Sequence, residues 1–225
     1  MIHPGLEVER ALWKQGVARV VGVDEAGIGS LSGAVVAAAV LLPVDCEILP
    51  GVRDSKTLSP VQREKLHAMV RERSLAVGIG AASVAEIETY NVRVASHLAM
   101  RRALRRIGGY DLALVDGLRI ADPAFGPHRT IVDGDATSYA IACASIVAKV
   151  VRDRLMRRLS RRFPAYGWDH NAGYGTAEHV RALSDHGPTP YHRQTFAPVR
   201  TLLAGTYPLP NFPPPSSVWP ENSSP

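Results

Sequence analysis

Val20-Val21-Gly22-Val23-Asp24-Glu25-Ala26-Gly27 decides the reading of this chain. The β-branched run predicts a buried strand, and it ends in two adjacent carboxylates. Like charges this close raise each other's pKa unless a cation compensates them. A buried strand that delivers such a pair to its end points to a metal platform at a sheet edge rather than to a solvated acidic turn. Gly27, Gly29 and Gly33 follow, residues suited to a loop that approaches a ligand closely.

Outward from this stretch, the apolar run Ala34 to Leu42 suits a strand buried on both faces. Leu75 to Ala82 reads as a third strand, and Leu112 to Val115 as a fourth ending at Asp116. A short fifth, Thr130 to Val132, ends near Asp133-Gly134-Asp135. Ser59-Pro60 opens a helix by N-cap and first-position proline, running to about Arg73. Ser83 and Glu86 have the spacing of a capping box on a short helix. Further helices are predicted from Val92 to Ile107, from Ser138 to about Leu159, and, as the last, from about Thr176 to His186. Antiparallel-looking strands followed by strands alternating with helices imply an α/β fold with a mixed sheet. Residues 1–16 read as a lead-in, 17–205 as one catalytic domain with a small helical C-terminal part, and 206–225 as a Pro/Ser-rich disordered tail.

The chain has 225 residues, 46% of them hydrophobic, and a net charge of +5. That length and apolar share support a real core, and the charge favours a polyanionic partner, most simply nucleic acid. Cys46 and Cys143 lack metal-ligand spacing, and so low a cysteine content fits a reduced, cytoplasmic protein. No signal peptide is read before the first strand, and the longest apolar run is too short to span a bilayer.

Four acids stand out: Asp24, Glu25, Asp116 and Asp135. Each follows a β-rich segment with a glycine within two positions. Hard divalent cations take carboxylate oxygens, and two such ions can hold an attacking water and a leaving oxygen in line at a phosphodiester. Asp135 could instead cap the following helix, and Asp133 is a near decoy two residues away. No nucleophile elbow, P-loop, cysteine pair or zinc-type histidine pair competes with this reading.

The chain resembles ribonuclease HII, the type 2 ribonuclease H. The resemblance is carried by Val21-Gly22-Val23-Asp24-Glu25-Ala26-Gly27, Asp54-Ser55-Lys56-Thr57-Leu58-Ser59, Leu114-Val115-Asp116-Gly117, Gly134-Asp135-Ala136-Thr137-Ser138, Ala144 to Val150 with Arg152-Asp153, Gly173-Tyr174-Gly175-Thr176, and Gly187 to Pro190 with His192-Arg193. It implies a ribonuclease H-like fold with a five-stranded mixed sheet. It implies endonucleolytic cleavage of RNA in RNA–DNA hybrids, and nicking 5′ of ribonucleotides embedded in duplex DNA, in DNA replication and repair. It assigns metal binding and catalysis to Asp24, Glu25, Asp116 and Asp135, with a two-ion Mn²⁺ or Mg²⁺ site, and products with 3′-hydroxyl and 5′-phosphate ends. It assigns substrate binding to the Gly27-Ile28-Gly29 loop, Lys56, Ser138 and Tyr174, the tyrosine against the deoxyribose beyond the junction; by position alone Ser138 reads as an N-cap, and it could do both. A monomer is expected, with the tail as a docking segment for a protein partner.

Two departures matter. The family usually carries a cation between the two glycines of that loop, where this chain has Ile28, and a lysine where it has Ala172. The alternative reading is therefore a catalytically weakened or non-catalytic hybrid-binding protein. Lys149 and Arg152, followed by Arg157, Arg158, Arg161 and Arg162, read as a charged face with some duplex contact, and His192-Arg193 as structural.

Overall fold

The structure is a computed structural model and describes residues 4–205. The expected tail lies outside the described residues. Helix α1 (Glu7–Lys14) precedes strands β1 (Val20–Ala26) and β2 (Val35–Leu41). Helix α2 (Pro60–Arg73), strand β3 (Ala76–Ala82) and helices α3 (Val84–Tyr90) and α4 (Val92–Arg105) follow. Strands β4 (Leu112–Asp116) and β5 (His128–Ile131) lead to the one-turn helix α5 (Gly134–Thr137) and the long helix α6 (Tyr139–Ser160). Helices α7 (Trp168–Asn171), α8 (Ala177–His186) and α9 (Ala197–Ala204) are the last among the described residues.

The sheet is mixed and five-stranded, in the order β3-β2-β1-β4-β5. The first three strands are antiparallel neighbours, and β4 and β5 run parallel to β1. β2 is buried along its whole length, and its period of two divides it between two cores. Val35, Ala37, Ala39 and Leu41 pack with Ala95, Ala99, Met100 and Ala103 of α4. Ala38 and Val40 pack on the other side with Ile146 and Val147 of α6 and Leu66 and Val70 of α2. The sequence reads small at the crossings for a reason: a Cβ at Gly22 of β1 would overlap the Ala140 carbonyl of α6.

Local chemistry explains the helix starts. Ser59 with Gln62, and Ser83 with Glu86, both form complete capping boxes. Helices α5, α7 and α9 lie beyond the sequence reading. Helix α9 follows α8, so α8 is not the last. Asp135 falls just past the end of β5, as expected, but on the separate one-turn helix α5. Helices α7, α8 and α9 surround Met156, Leu159, Phe163, Trp168 and Val199 in a third cluster at the end of α6.

Candidate active site

Register brings the acids together. β1 and β4 are parallel with Val23 beside Val115, so one further step sets Asp24 beside Asp116 at the same end of adjacent strands. Alternation turns Asp24 towards the α6 face and Glu25 towards the α4 face. Asp24 is 5% exposed, and its Oδ1 accepts the backbone N–H of Glu25 at 2.6 Å. Burial pushes its pKa well up, with the Glu25 and Asp116 charges adding to the rise and the Ser145 hydroxyl opposing it. Burial, then the Asp116 charge, raises Glu25 to about 7, while Lys56 pulls it down. Asp116 Oδ1 accepts the N–H of Gly134 at 2.7 Å. Asp135, buried on α5, is raised by burial and by Asp116. Asp133 is exposed with a φ of 51°, so the decoy stays a turn former. Asp135 is no cap either, because Ser138 caps α6.

Lys56 stands at the edge of this cluster, its side chain 80% exposed and its Nζ 3.9 Å from Asp135 Oδ2. Burial works against its charge, but Asp54, Asp135, Asp24 and Asp116 outweigh that and raise its pKa. Among the described residues, no three His, Cys, Asp or Glu side chains are gathered closely enough to form a finished metal cage. The donor set nonetheless fits a hard divalent cation: it is all carboxylate oxygen, and three of its members have pKa values raised by burial and mutual repulsion.

The loop from Gly27 to Ala34 is held from within by two arginines. Arg152 donates to the carbonyls of Ala34 (3.1 Å), Ser32 (3.0 Å) and Ala172 (2.8 Å). Arg193 donates to those of Gly27 (2.7 Å), Ile28 (2.7 Å) and Gly33 (2.9 Å). Both are fully buried. Arg152 is therefore not part of a solvated or duplex-facing charge run; carbonyl dipoles neutralise it in the interior. Gly27 has a φ of +99°, and a Cβ there would run into the Arg152 guanidinium, so glycine is required on both counts. A Cβ at Gly29 would meet nothing within 4 Å, and Ile28 is 38% exposed.

Tyr174 is partly exposed beside the loop, with Lys149 Nζ 5.3 Å and Arg152 Cζ 5.5 Å from its ring centroid. Its carbonyl accepts His179 Nδ1–H at 2.9 Å. This leaves His179 Nε2 to accept from Trp168 Nε1 at 3.0 Å and from His192 Nε2 at 3.1 Å, because His192 Nδ1 is itself the acceptor for Thr189 N–H at 2.9 Å. The expected structural role of His192-Arg193 is thus visible in both side chains.

Ser138 corrects the expected substrate set. It is fully buried, its Oγ donates to Glu9 Oε1 at 2.6 Å, and it accepts Ile141 N–H as the α6 cap. Buried there, the hydroxyl is closed to a ligand from solvent. Ala172 is also buried, with a φ of 49°, so this position forms wall rather than open binding surface. Sequence reasoning missed Glu9, because nothing local links it to Ser138 or to the Ala140 N–H that it accepts at 2.9 Å. It also gave no role to Ser145, whose Oγ lies 2.9 Å from Ser55 Oγ.

The family model described as Ribonuclease HII matches residues 21–199. The Ribonuclease HII of Thermosynechococcus vestitus is 54% identical over 195 residues, covering 87% of this chain and 90% of that protein. Two solved structures share the fold: the PCNA:RNase HII complex from Archaeoglobus fulgidus (TM-score 0.69, 23% identity, 81% of this chain and 96% of that one) and Bst-RNase HIII in complex with Mn²⁺ (TM-score 0.67, 18% identity, 86% and 72%). No helix among the described residues is long and apolar enough to cross a membrane. A match that runs from β1 through the start of α9, with this identity over most of both proteins, establishes that the chain belongs to the ribonuclease HII family.

Proposed function

We propose that this chain is a divalent-metal-dependent endoribonuclease that cleaves RNA in RNA–DNA hybrids and nicks 5′ of ribonucleotides embedded in duplex DNA, in ribonucleotide removal during replication and repair. The observation that carries the reading is the meeting of Asp24, Glu25, Asp116 and Asp135 at one sheet edge, where burial and the repulsion of neighbouring carboxylates raise the pKa values of Asp24, Glu25 and Asp135. These four would hold Mg²⁺ or Mn²⁺; a manganese ion in the Bst-RNase HIII relative supports that choice. Such ions, when bound, supply water activation and stabilisation of the leaving 3′-oxygen.

The remaining work falls to the chain. Asp116 keeps the turn carrying Asp135 in place through Gly134. The Gly27-Ile28-Gly29 backbone, pinned by Arg193, presents a fixed surface to the 2′-hydroxyl at the junction. Lys56 meets a backbone phosphate, and Tyr174 lies against the sugar beyond. The working form is read as a cytoplasmic monomer. Residues 206–225 are read as a docking segment, and the Archaeoglobus fulgidus complex with PCNA gives a relative that engages a protein partner.

The test is cleavage of a DNA duplex with one embedded ribonucleotide, with and without Mn²⁺. A single metal-dependent nick on its 5′ side is expected. Binding without cleavage would favour the hybrid-binding alternative suggested by Ile28, and cutting of an all-DNA duplex would overturn both. Asp24→Asn should abolish the nick while sparing binding.

A further inference from the structure

The acid edge is bordered by different cations on the two faces of the sheet. Lys56 belongs to the α6 side: Ser55, beside it, is tied to Ser145 of α6 at 2.9 Å, and Lys56 itself approaches Asp135. On the α4 side, Glu25 and Asp116 form one wall of a depression of about 170 Å³ whose other walls include Arg93, His97 and Arg119. Arg93 lies in the first turn of α4, and Arg119 in the loop that leaves β4 three residues after Asp116. Both are exposed, and neither guanidinium has an acid or carbonyl partner among the described residues.

A nucleic-acid strand carries a negative charge at every link, and here it must cross four carboxylates. Ions held at the acids would offset that repulsion locally. The neighbouring phosphate must meet the protein, and an unpaired guanidinium fork matches phosphate oxygens in geometry and charge. Lys56 is on the opposite face and cannot serve both neighbours. His97, whose pKa burial and Arg93 hold down, stays neutral at the floor and adds a donor without charge.

We infer that the Arg93–Arg119 depression is a phosphate site. It takes the backbone phosphate next to the one at the acids, so the strand is gripped between Lys56 on one face of the sheet and this arginine pair on the other. The inference rests on the nucleic-acid reading above, but not on cleavage.

The experiment measures hybrid binding and cleavage across a salt series for the wild type, Arg93→Ala/Arg119→Ala, and the charge-matched control Arg105→Ala/Arg106→Ala, whose positions lie about 18 Å from Arg93 along the helix. The site predicts at least about tenfold weaker binding for the first pair. It also predicts a salt slope smaller by about two, with the turnover of bound hybrid kept. The control should match the wild type. Unchanged affinity and slope in Arg93→Ala/Arg119→Ala, or an equal loss in the control, overturns the site. If the wild type binds but does not cut, the enzymatic reading fails while an arginine-dependent slope still sustains the site. If it does not bind the hybrid at all, both fall.

Discussion

Asp116 Oδ1 accepts the backbone N–H of Gly134 at 2.7 Å, so the acid that ends β4 also positions the turn that carries Asp135. Two roles in one carboxylate can be separated. Asp116→Asn keeps an oxygen for Gly134 and loses the charge. It is expected to retain the wild-type melting temperature within a few degrees and to lose about 10³-fold in hybrid cleavage. Asp116→Ala should lose as much activity and about 1 kcal/mol of stability as well. Cleavage by Asp116→Asn near the wild-type rate would contradict its place in the metal set.

Glu25 gives a pH signature without metal. Its pKa rises from 4.5 unfolded to about 7 folded, so between these values the folded state binds more protons. Its contribution to stability is therefore present below about 4.5 and is lost as pH rises through about 7. Denaturant titrations in EDTA should show Glu25→Gln more stable than wild type by about 2 kcal/mol at pH 8 and little different at pH 4, although it no longer cleaves. Parallel pH profiles for the two proteins would count against the shift.

His192 acts in the opposite direction. Burial, reinforced by His179, lowers its folded pKa from 6.5 to about 3. The unfolded state then binds the extra proton, so stability falls as pH drops from about 6.5 towards 3. Replacement by Gln, which cannot titrate, should flatten the acid limb of the unfolding profile, while costing about 1–2 kcal/mol at pH 7 through the weakened partner of Thr189. An unchanged acid limb would exclude His192 as its source.

Arg152 holds three carbonyls from segments far apart in the chain. Arg152→Met leaves them without donors in the interior and should cost about 3–5 kcal/mol. Hydrogen exchange should report the loss first at residues 27–34. Arg152→Lys keeps the charge but not the fork, and should recover only part of the stability. Full recovery by lysine would mean that charge, not shape, is what the loop needs.

What could be read in advance was local or strictly periodic. Val20 to Glu25, the Ser59-Pro60 start and the Ser83–Glu86 pair declare themselves within a few residues, and the structure reproduces them. Asp24, Glu25, Asp116 and Asp135 stand out in the sequence because each follows a strand signal beside glycine. The N-cap role of Ser138 was legible locally, but its bond to Glu9 and the burial of Arg152 were not, because both depend on partners far along the chain. The serine is consumed by Glu9, 129 positions earlier, and the arginine by Ser32 and Ala34, 120 and 118 positions earlier. Helix α9 has no side-chain cap, and Pro198 in its first turn is the one start signal it carries. The 38% exposure of Ile28 gives the departure from the familiar loop a surface position.

The parallel pairing of β1 with β4 has a consequence for how the molecule is made. While the ribosome is still producing the middle of the chain, β1 can find β2 and, through it, β3, but its other flank stays open until residues 112–115 emerge. A bare, apolar strand margin is an invitation to a foreign chain, and pairing across such a span is slow. Yield in the cell should therefore depend on chaperone supply and growth temperature more than on the stability of the finished protein.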